Sequence, residues 1–245
     1  MPPTRHQVLG YPLDAVDMDA AADWVLRHVA ASRHGEPRPR LVVTLNPEIV
    51  VQAEGDPDLA AALRAADLSV ADGVGVAWAA RRAGVALPGR VPGVDLAFEV
   101  MRRGGADLRV YLLGARPGVA EAAAAEAARR YGVTVVGAQH GYFDSEAPEA
   151  VVAAVAAARP DLLLAGLGEG QELFLHRHRS ALGAGVMIGV GGTLDVLAGE
   201  VRRMPAWTSR LGIEWLFRVG LDRRRWGRLP RLFRFAGLVL RGLPR

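Results

Sequence analysis

The chain has 245 residues, of which 51% are apolar and 23% charged, enough material for a sizeable buried core in one large domain or one domain with an appendage. It contains no cysteine, so disulfides and thiolate metal sites are excluded. All 30 basic residues are arginine, and with no lysine anywhere a phosphate loop of the Walker type is excluded as well. Arginine position therefore carries more information than arginine number. Residues 201–245 hold 12 Arg against Glu214 and Asp222, a local charge of +10, which leaves −6 on residues 1–200 given +4 overall. A mildly acidic body with a basic tail suits partners that carry phosphate: nucleotide, nucleic acid or anionic lipid.

Residues 1–10 have no apolar stretch of signal-peptide type, and no apolar run approaches the ~20 residues that span a bilayer. A cytoplasmic protein with at most peripheral membrane contact is expected. Asp17-Met18-Asp19 formally matches the D-x-D pattern of metal-using transferases, but it directly precedes a predicted helix over 20–30 and reads as capping. Leu41 to Thr44 is a predicted strand. A helix over 49–66 follows, with a break at Gly55-Asp56-Pro57. Leu68 to Val70 is a strand ending at Asp72-Gly73, and helices are predicted over 74–83 and 93–103. Beyond these, strands over 108–113, 133–137, 161–165 and 186–190 alternate with helices over 118–131, 148–158 and 171–178, and a last one starts near Gly192. The strands are nearly continuous apolar runs, which implies cover on both faces. The reading is an α/β fold, a largely parallel sheet with helices on both faces in the Rossmann manner. Amphipathic helices over 207–219 and 226–240 break the alternation. They place a boundary near residue 200, between an α/β domain over 1–200 and a basic helical appendage over 201–245.

Open parallel sheets bind ligands at the carboxyl ends of their strands, and three strand ends carry unusual chemistry here. Thr44-Leu45-Asn46-Pro47 reads either as an Asn N-cap before a Pro at the first helical position or as a ligand-facing hydroxyl and amide; both can hold if Thr44 stays free. Asp72-Gly73-Val74-Gly75 reads either as a cap or as a general base beside a turn that lets a ligand approach. Gly189-Val190-Gly191-Gly192-Thr193 reads either as a tight turn or as a cradle of N–H groups for a diphosphate. Leu194 occupies the third glycine position of a dinucleotide fingerprint there, and Gln171 occupies it after Gly166-Leu167-Gly168, so nicotinamide or flavin chemistry is disfavoured. His176 and His178 are two apart and do not share a helical face, so no metal site is expected. His140-Gly141-Tyr142-Phe143-Asp144 has no chemistry assignable from spacing.

Taken in order, Thr44-Leu45-Asn46-Pro47-Glu48, Ala66-Asp67-Leu68, Asp72-Gly73-Val74-Gly75-Val76, Arg90-Val91-Pro92-Gly93-Val94-Asp95-Leu96, Tyr111 to Gly118, Gly166-Leu167-Gly168, Gln171-Glu172, Gly189 to Gly192 with Asp195, Leu197-Ala198-Gly199, Trp207 and Gly212 to Arg218 resemble the WecG/TagA/CpsF glycosyltransferases, also called glycosyltransferase family 26. The resemblance implies an inverting, metal-independent transferase. It would move N-acetylmannosamine, its uronic acid or a related hexose from UDP onto an undecaprenyl-diphosphate-linked acceptor, in cell-surface polysaccharide or teichoic acid synthesis. It implies Asp72 as base, with Thr44 and Asn46 beside the sugar. It implies donor and acceptor contacts from Gly73, Arg90, Gly114, Gly166, Gln171, Glu172, Gly191, Gly192, Thr193 and Asp195. Tail arginines Arg218, Arg210 and Arg225 would close over the diphosphate. No cofactor, metal or nucleic acid is expected, membrane contact is peripheral on the inner face, and self-association is in keeping with the family. Two departures stand out: the usual Pro-Lys-Gln-Glu string is Glu169-Gly170-Gln171-Glu172, and the usual Arg-Ala-Pro is Arg203-Met204-Pro205. Rival readings are another nucleotide-sugar enzyme, which needs the dinucleotide fingerprint that is missing, and a basic-tailed membrane or nucleic-acid binder, which gives no reason for Asp72 and the glycine turns.

Overall fold

The structure is a computed structural model and describes residues 3–34, 39–144, 146–201 and 229–242. Strands β1 (Arg5–Val8) and β2 (Tyr11–Asp14) form an antiparallel hairpin around Leu9-Gly10. The sequence reading missed it, although a two-residue turn ending in glycine between short alternating runs is the signal for one. Helix α1 (Met18–Arg33) follows, and Asp17 caps it by accepting the Ala20 N–H at 2.8 Å, as the capping reading of this segment requires.

Strand β3 (Arg40–Leu45) leads through α2 (Pro47–Ala53) and α3 (Pro57–Arg64) to β4 (Leu68–Ala71). The predicted break falls where Asp56 caps α3 and Pro57 opens it. Helices α4 (Gly73–Arg82) and α5 (Gly93–Gly104) carry the chain across to β5 (Arg109–Gly114). Then come α6 (Val119–Tyr131), β6 (Thr134–Gln139), α7 (Glu149–Ala158), β7 (Leu162–Gly166), α8 (Gln171–Arg177), α9 (Arg179–Leu182), β8 (Val186–Gly189) and α10 (Thr193–Leu197). The last described helix is α11 (Leu229–Arg241).

Strands β3 to β8 form one six-stranded sheet in the order β4-β3-β8-β7-β5-β6, with every pairing parallel. The side chains of α2, α3, α4, α7, α8, α9 and α11 enter the core on one face, and those of α1, α5, α6 and α10 enter the core on the other. Moves towards β4 use the first face and the β5-to-β6 move uses the second, as right-handed crossovers demand, while the long β4-to-β5 connection passes α4 on the first face before α5 on the second. Within strands the faces alternate: Leu41, Val43 and Leu45 serve the first core and Val42 the second. The chain leaves β3 on one face and neighbouring β8 on the other, which opens a crevice at their carboxyl ends.

At the opposite edge, three aspartates secure strand starts. Asp67 accepts the Leu41 N–H at 2.8 Å and is held by Arg179. Asp161 accepts the Arg109 N–H at 2.9 Å and is held by Arg33. Asp14 accepts the Ser69 N–H and pairs with Arg5, both contacts using Oδ2, at 2.8 and 2.7 Å. This last contact lays the hairpin beside edge strand β4 without extending the ladder. Such carboxylates are structural, because the partners that make burial affordable are all internal. Asp67→Ala should cost about 3–5 kcal/mol, since it strands Arg179 and a strand N–H together; urea denaturation at neutral pH measures the loss.

Candidate functional site

The site is assembled where β3, β4 and β8 end. Asn46 behaves as a cap: its Oδ1 accepts the Glu48 and Ile49 N–H groups at 3.0 and 3.1 Å, and its Nδ2 donates to the Thr44 carbonyl at 3.3 Å. Thr44 is not free to face a ligand. It is buried, and its hydroxyl donates to the Gly189 carbonyl at 3.1 Å, tying the end of β3 to that of β8.

Asp72 differs from the other helix-starting acids. It stands at the N-cap position of α4 in an extended conformation, yet makes no side-chain bond to that helix. Its Oδ2 instead accepts the N–H of Gly93, the first residue of α5, at 3.3 Å. Backbone bonds place it there: the Asp72 N–H donates to the Leu45 carbonyl and the Val91 N–H to the Ala71 carbonyl, each at 2.9 Å. The half-buried carboxylate thus sits between the end of β3 and the segment that starts α5. Gly73 follows with φ +86° and open space where a side chain would lie, leaving an approach beside the carboxylate. Arg90 is half-buried and two residues before Pro92, on the segment that faces Asp72.

Turn 189–193 departs from the expected cradle. The Gly191 N–H donates to Gln171 Oε1 and the Thr193 N–H to the Val190 carbonyl, both at 3.2 Å. The Thr193 hydroxyl is also taken, by the Val190 carbonyl at 2.6 Å, and the residue is buried. These donors hold the turn together and are not presented to an anion. Gly192 is exposed and Asp195 half-buried on the rim. Gly114 and Gly166 serve close approach: a Cβ on Gly114 would lie 2.3 Å from the Gly166 carbonyl oxygen, and one on Gly166 would lie 2.6 Å from that of Gly191. The ends of β5, β7 and β8 can crowd together only without side chains there.

Gln171 and Glu172 lie beneath this turn, both buried, rather than in the open crevice. Gln171 Nε2 donates to Glu172 Oε1 at 2.6 Å, and the pair fills the space a Cβ on Gly189 would occupy. Burial pushes the Glu172 carboxyl up to about 7, against the smaller opposing effect of the Gln171 amide and its own backbone N–H.

The tail reaches this edge through α11. Phe235 and Val239 are buried in the first core, Phe235 beside Gly75 and Pro47. Arg234 pairs with Glu54 at 2.8 Å and Arg231 with Glu169 at 2.5 Å. Glu169 belongs to the string that departs from the resembled pattern, so the acid gained there draws a tail cation onto the loop after β7. Nothing in the sequence spacing signalled this contact. Arg210, Arg218, Arg225 and the predicted helix over 207–219 lie outside the described residues.

The profile of the Glycosyl transferase WecG/TagA/CpsF family matches residues 6–245. The chain belongs to that family. It is a glycosyltransferase. An N-acetylglucosaminyldiphosphoundecaprenol N-acetyl-beta-D-mannosaminyltransferase of Staphylococcus aureus (strain NCTC 8325 / PS 47) is 37% identical over 190 residues, covering 77% of this chain and 74% of the relative. The proteins of the same name from strains COL and MRSA252 match at the same 37% identity and coverage.

The Glu172 carboxyl gives a pH prediction for the transferase. A carboxyl raised from 4.5 to about 7 contributes stability that is complete below the unfolded value and lost as pH rises through the folded value. The wild-type chain should therefore lose stability between about pH 4.5 and pH 7. Glu172→Gln keeps an acceptor for Gln171 without the ionisation, and should be the more stable protein at pH 8 by about 3 kcal/mol. Urea midpoints at pH 5 and pH 8 for both proteins measure it.

Proposed function

We propose that this transferase moves N-acetylmannosamine, or a closely related hexose, from UDP onto a polyprenyl-diphosphate-linked sugar. Residues 1–200 supply the catalytic domain and 201–245 an appendage that completes the nucleotide site. The observation that carries this reading is the Asp72 carboxylate: it leaves the start of its own helix uncapped and sits at the β3–β4 end beside an open glycine. The names of the Staphylococcus relatives support the donor sugar and the acceptor class.

In this reading the acceptor hydroxyl attacks the anomeric carbon from the face opposite UDP. One C–O bond forms as the bond to the β-phosphate oxygen breaks, so the anomeric configuration inverts. The hydroxyl proton passes to Asp72, and UDP leaves with the bonding electron pair. General base catalysis of this kind contributes roughly 10²–10⁴ in rate. Negative charge grows on the diphosphate, and arginine forks are suited to meeting it without a metal. With the Gly191 and Thr193 donors spent internally, much of that charge is left to the arginine-rich tail, for which Arg218, Arg210 and Arg225 are the candidates. Asp72→Asn should lower turnover by at least about 10²-fold while leaving UDP affinity near that of the wild type. UDP release from UDP-N-acetylmannosamine, with a short-chain lipid-diphosphate acceptor, together with UDP calorimetry, measures both; undiminished turnover removes Asp72 from the chemistry.

The acceptor is lipid-linked, so the protein must work at a membrane surface. Among the described residues no helix is long and apolar enough to cross one. Helix α11 supports a peripheral mode because it carries apolar side chains on two sides. Phe235 and Val239 face the body, whereas Phe233 and Leu240, 76% and 62% exposed, lie on the far side seven positions apart. Arg234 and Arg241 flank that exposed pair. Apolar insertion beside cations is how an interfacial helix binds anionic lipid. Phe233→Ala with Leu240→Ala should reduce co-sedimentation with phosphatidylglycerol vesicles several-fold, without changing turnover on a soluble acceptor analogue.

A further inference from the structure

Gly93 belongs to no site assigned so far, yet it touches both residues on which the strand-end chemistry turns. Its N–H donates to Asp72 Oδ2 at 3.3 Å. On its other side, a Cβ at Gly93 would stand 3.0 Å from Thr44 Cγ2 and 3.1 Å from Thr44 Oγ1. Thr44 cannot give way freely, because it is buried and its hydroxyl is bonded to the Gly189 carbonyl. The start of α5 therefore rests directly on the Thr44 side chain, with no methyl between them.

We infer that Gly93 is a positioning residue for the transfer reaction. Its N–H aims the Asp72 carboxylate, and Thr44 is the seat that fixes how close α5 comes to that carboxylate. Thr44 then acts through Gly93 and not by touching sugar. The inference rests on the reading of Asp72 as the base. Three features make the arrangement specific. Asp72 ignores the N–H groups of its own helix and takes one from α5. Pro92 precedes Gly93 and has no N–H to offer, so the first donor at this helix start is that of Gly93. The Val91 N–H bond to the Ala71 carbonyl, at 2.9 Å, pins the segment to the strand end that leads into Asp72. A base aimed by a fixed donor loses rate when the donor moves, because misplacement of a fraction of an ångström to one ångström costs about 10- to 100-fold in turnover without weakening ground-state binding.

The test compares Gly93→Ala, Gly93→Ala with Thr44→Ser, and Gly93→Pro with Thr44→Ser, each beside Asp72→Asn. Turnover and KM are read with UDP-N-acetylmannosamine and a short-chain lipid-diphosphate acceptor, and folding by thermal melting. Gly93→Ala should lower kcat by at least about tenfold, with KM for the donor changed less than about twofold. Thr44→Ser removes Cγ2, the nearest atom that the new methyl meets, and keeps the hydroxyl 3.1 Å away, so the Ala/Ser double variant should be measurably faster than Gly93→Ala. The Pro/Ser double variant has the same Cβ and a conformation suited to the first helical position, but no N–H; it should stay as slow as Gly93→Ala. Wild-type kcat in Gly93→Ala overturns the inference. So does an Ala/Ser variant that is no faster than Gly93→Ala or that fails to fold, and so does a Pro/Ser variant as fast as Ala/Ser. If Asp72→Asn is inactive while these variants behave as wild type, only the inference falls. If Asp72→Asn keeps its turnover, the base reading falls and the inference goes with it.

Discussion

The proposed chemistry of this transferase depends on a single carboxylate being held by backbone that belongs to other elements. Asp72 ends β4, but the bonds that fix it come from β3 and α5: the Leu45 carbonyl takes its N–H and the Gly93 N–H reaches its Oδ2. A carboxylate bonded within its own helix start would be a cap, worth about 1 kcal/mol and nothing more. Asp72 instead bonds across to α5, and the position beside it at Gly73 is open. The parallel sheet makes this possible, because it brings the ends of β3, β4 and β8 to one edge while their helices depart on opposite faces.

The two edges of the sheet treat charge differently. Along the amino edge, Asp14, Asp67 and Asp161 each take a strand N–H and an arginine, so their charge is fully answered inside the protein. Along the carboxyl edge, polar groups brace turns and are spent on backbone: Thr44 on Gly189, Thr193 on Val190, Gln171 on Gly191. Glu172 goes further and is buried with its carboxyl pushed up to about 7, which makes the floor of the turn a neutral hydrogen-bonded unit in acid and a costly ionised one in base. The edge is thus rigid by internal bonding. In the proposed mechanism, positive charge for a leaving diphosphate is assigned to the arginine-rich tail.

Helix α11 joins tail and body. Its inward side chains, Phe235 and Val239, extend the first core, and Arg231 and Arg234 grip Glu169 and Glu54. The exposed ion pairs add little by themselves. The apolar contact is what keeps the helix near the site, and the opposite side of the same helix stays apolar and rimmed by arginine. In the proposed peripheral mode, a helix docked in this way brings the carboxyl edge of the sheet and a lipid surface together.

The element order, the parallel sheet, the break at Pro57 and the N-cap role of Asn46 were all legible from the amino-acid string, because each rests on local rules: apolar runs, helical periodicity, and the preferences of proline and asparagine. The hairpin at 5–14 has its own local signal in the Leu9-Gly10 turn, where both residues take positive φ. Family membership followed from ordered strings spread along the chain. What no string could settle was which polar groups remain available. Thr44 and Thr193 look like ligand-facing hydroxyls in one dimension, but each is within reach of a carbonyl brought by a turn or a neighbouring strand and is spent there. Asp72 looks like a cap, and only the return of residues 91–93 alongside β4 gives it a donor from another helix. Local sequence decides where a hydrogen-bonding group sits on its own element. The partner it finds depends on which distant strand end packs beside it, and that is set by the tertiary fold.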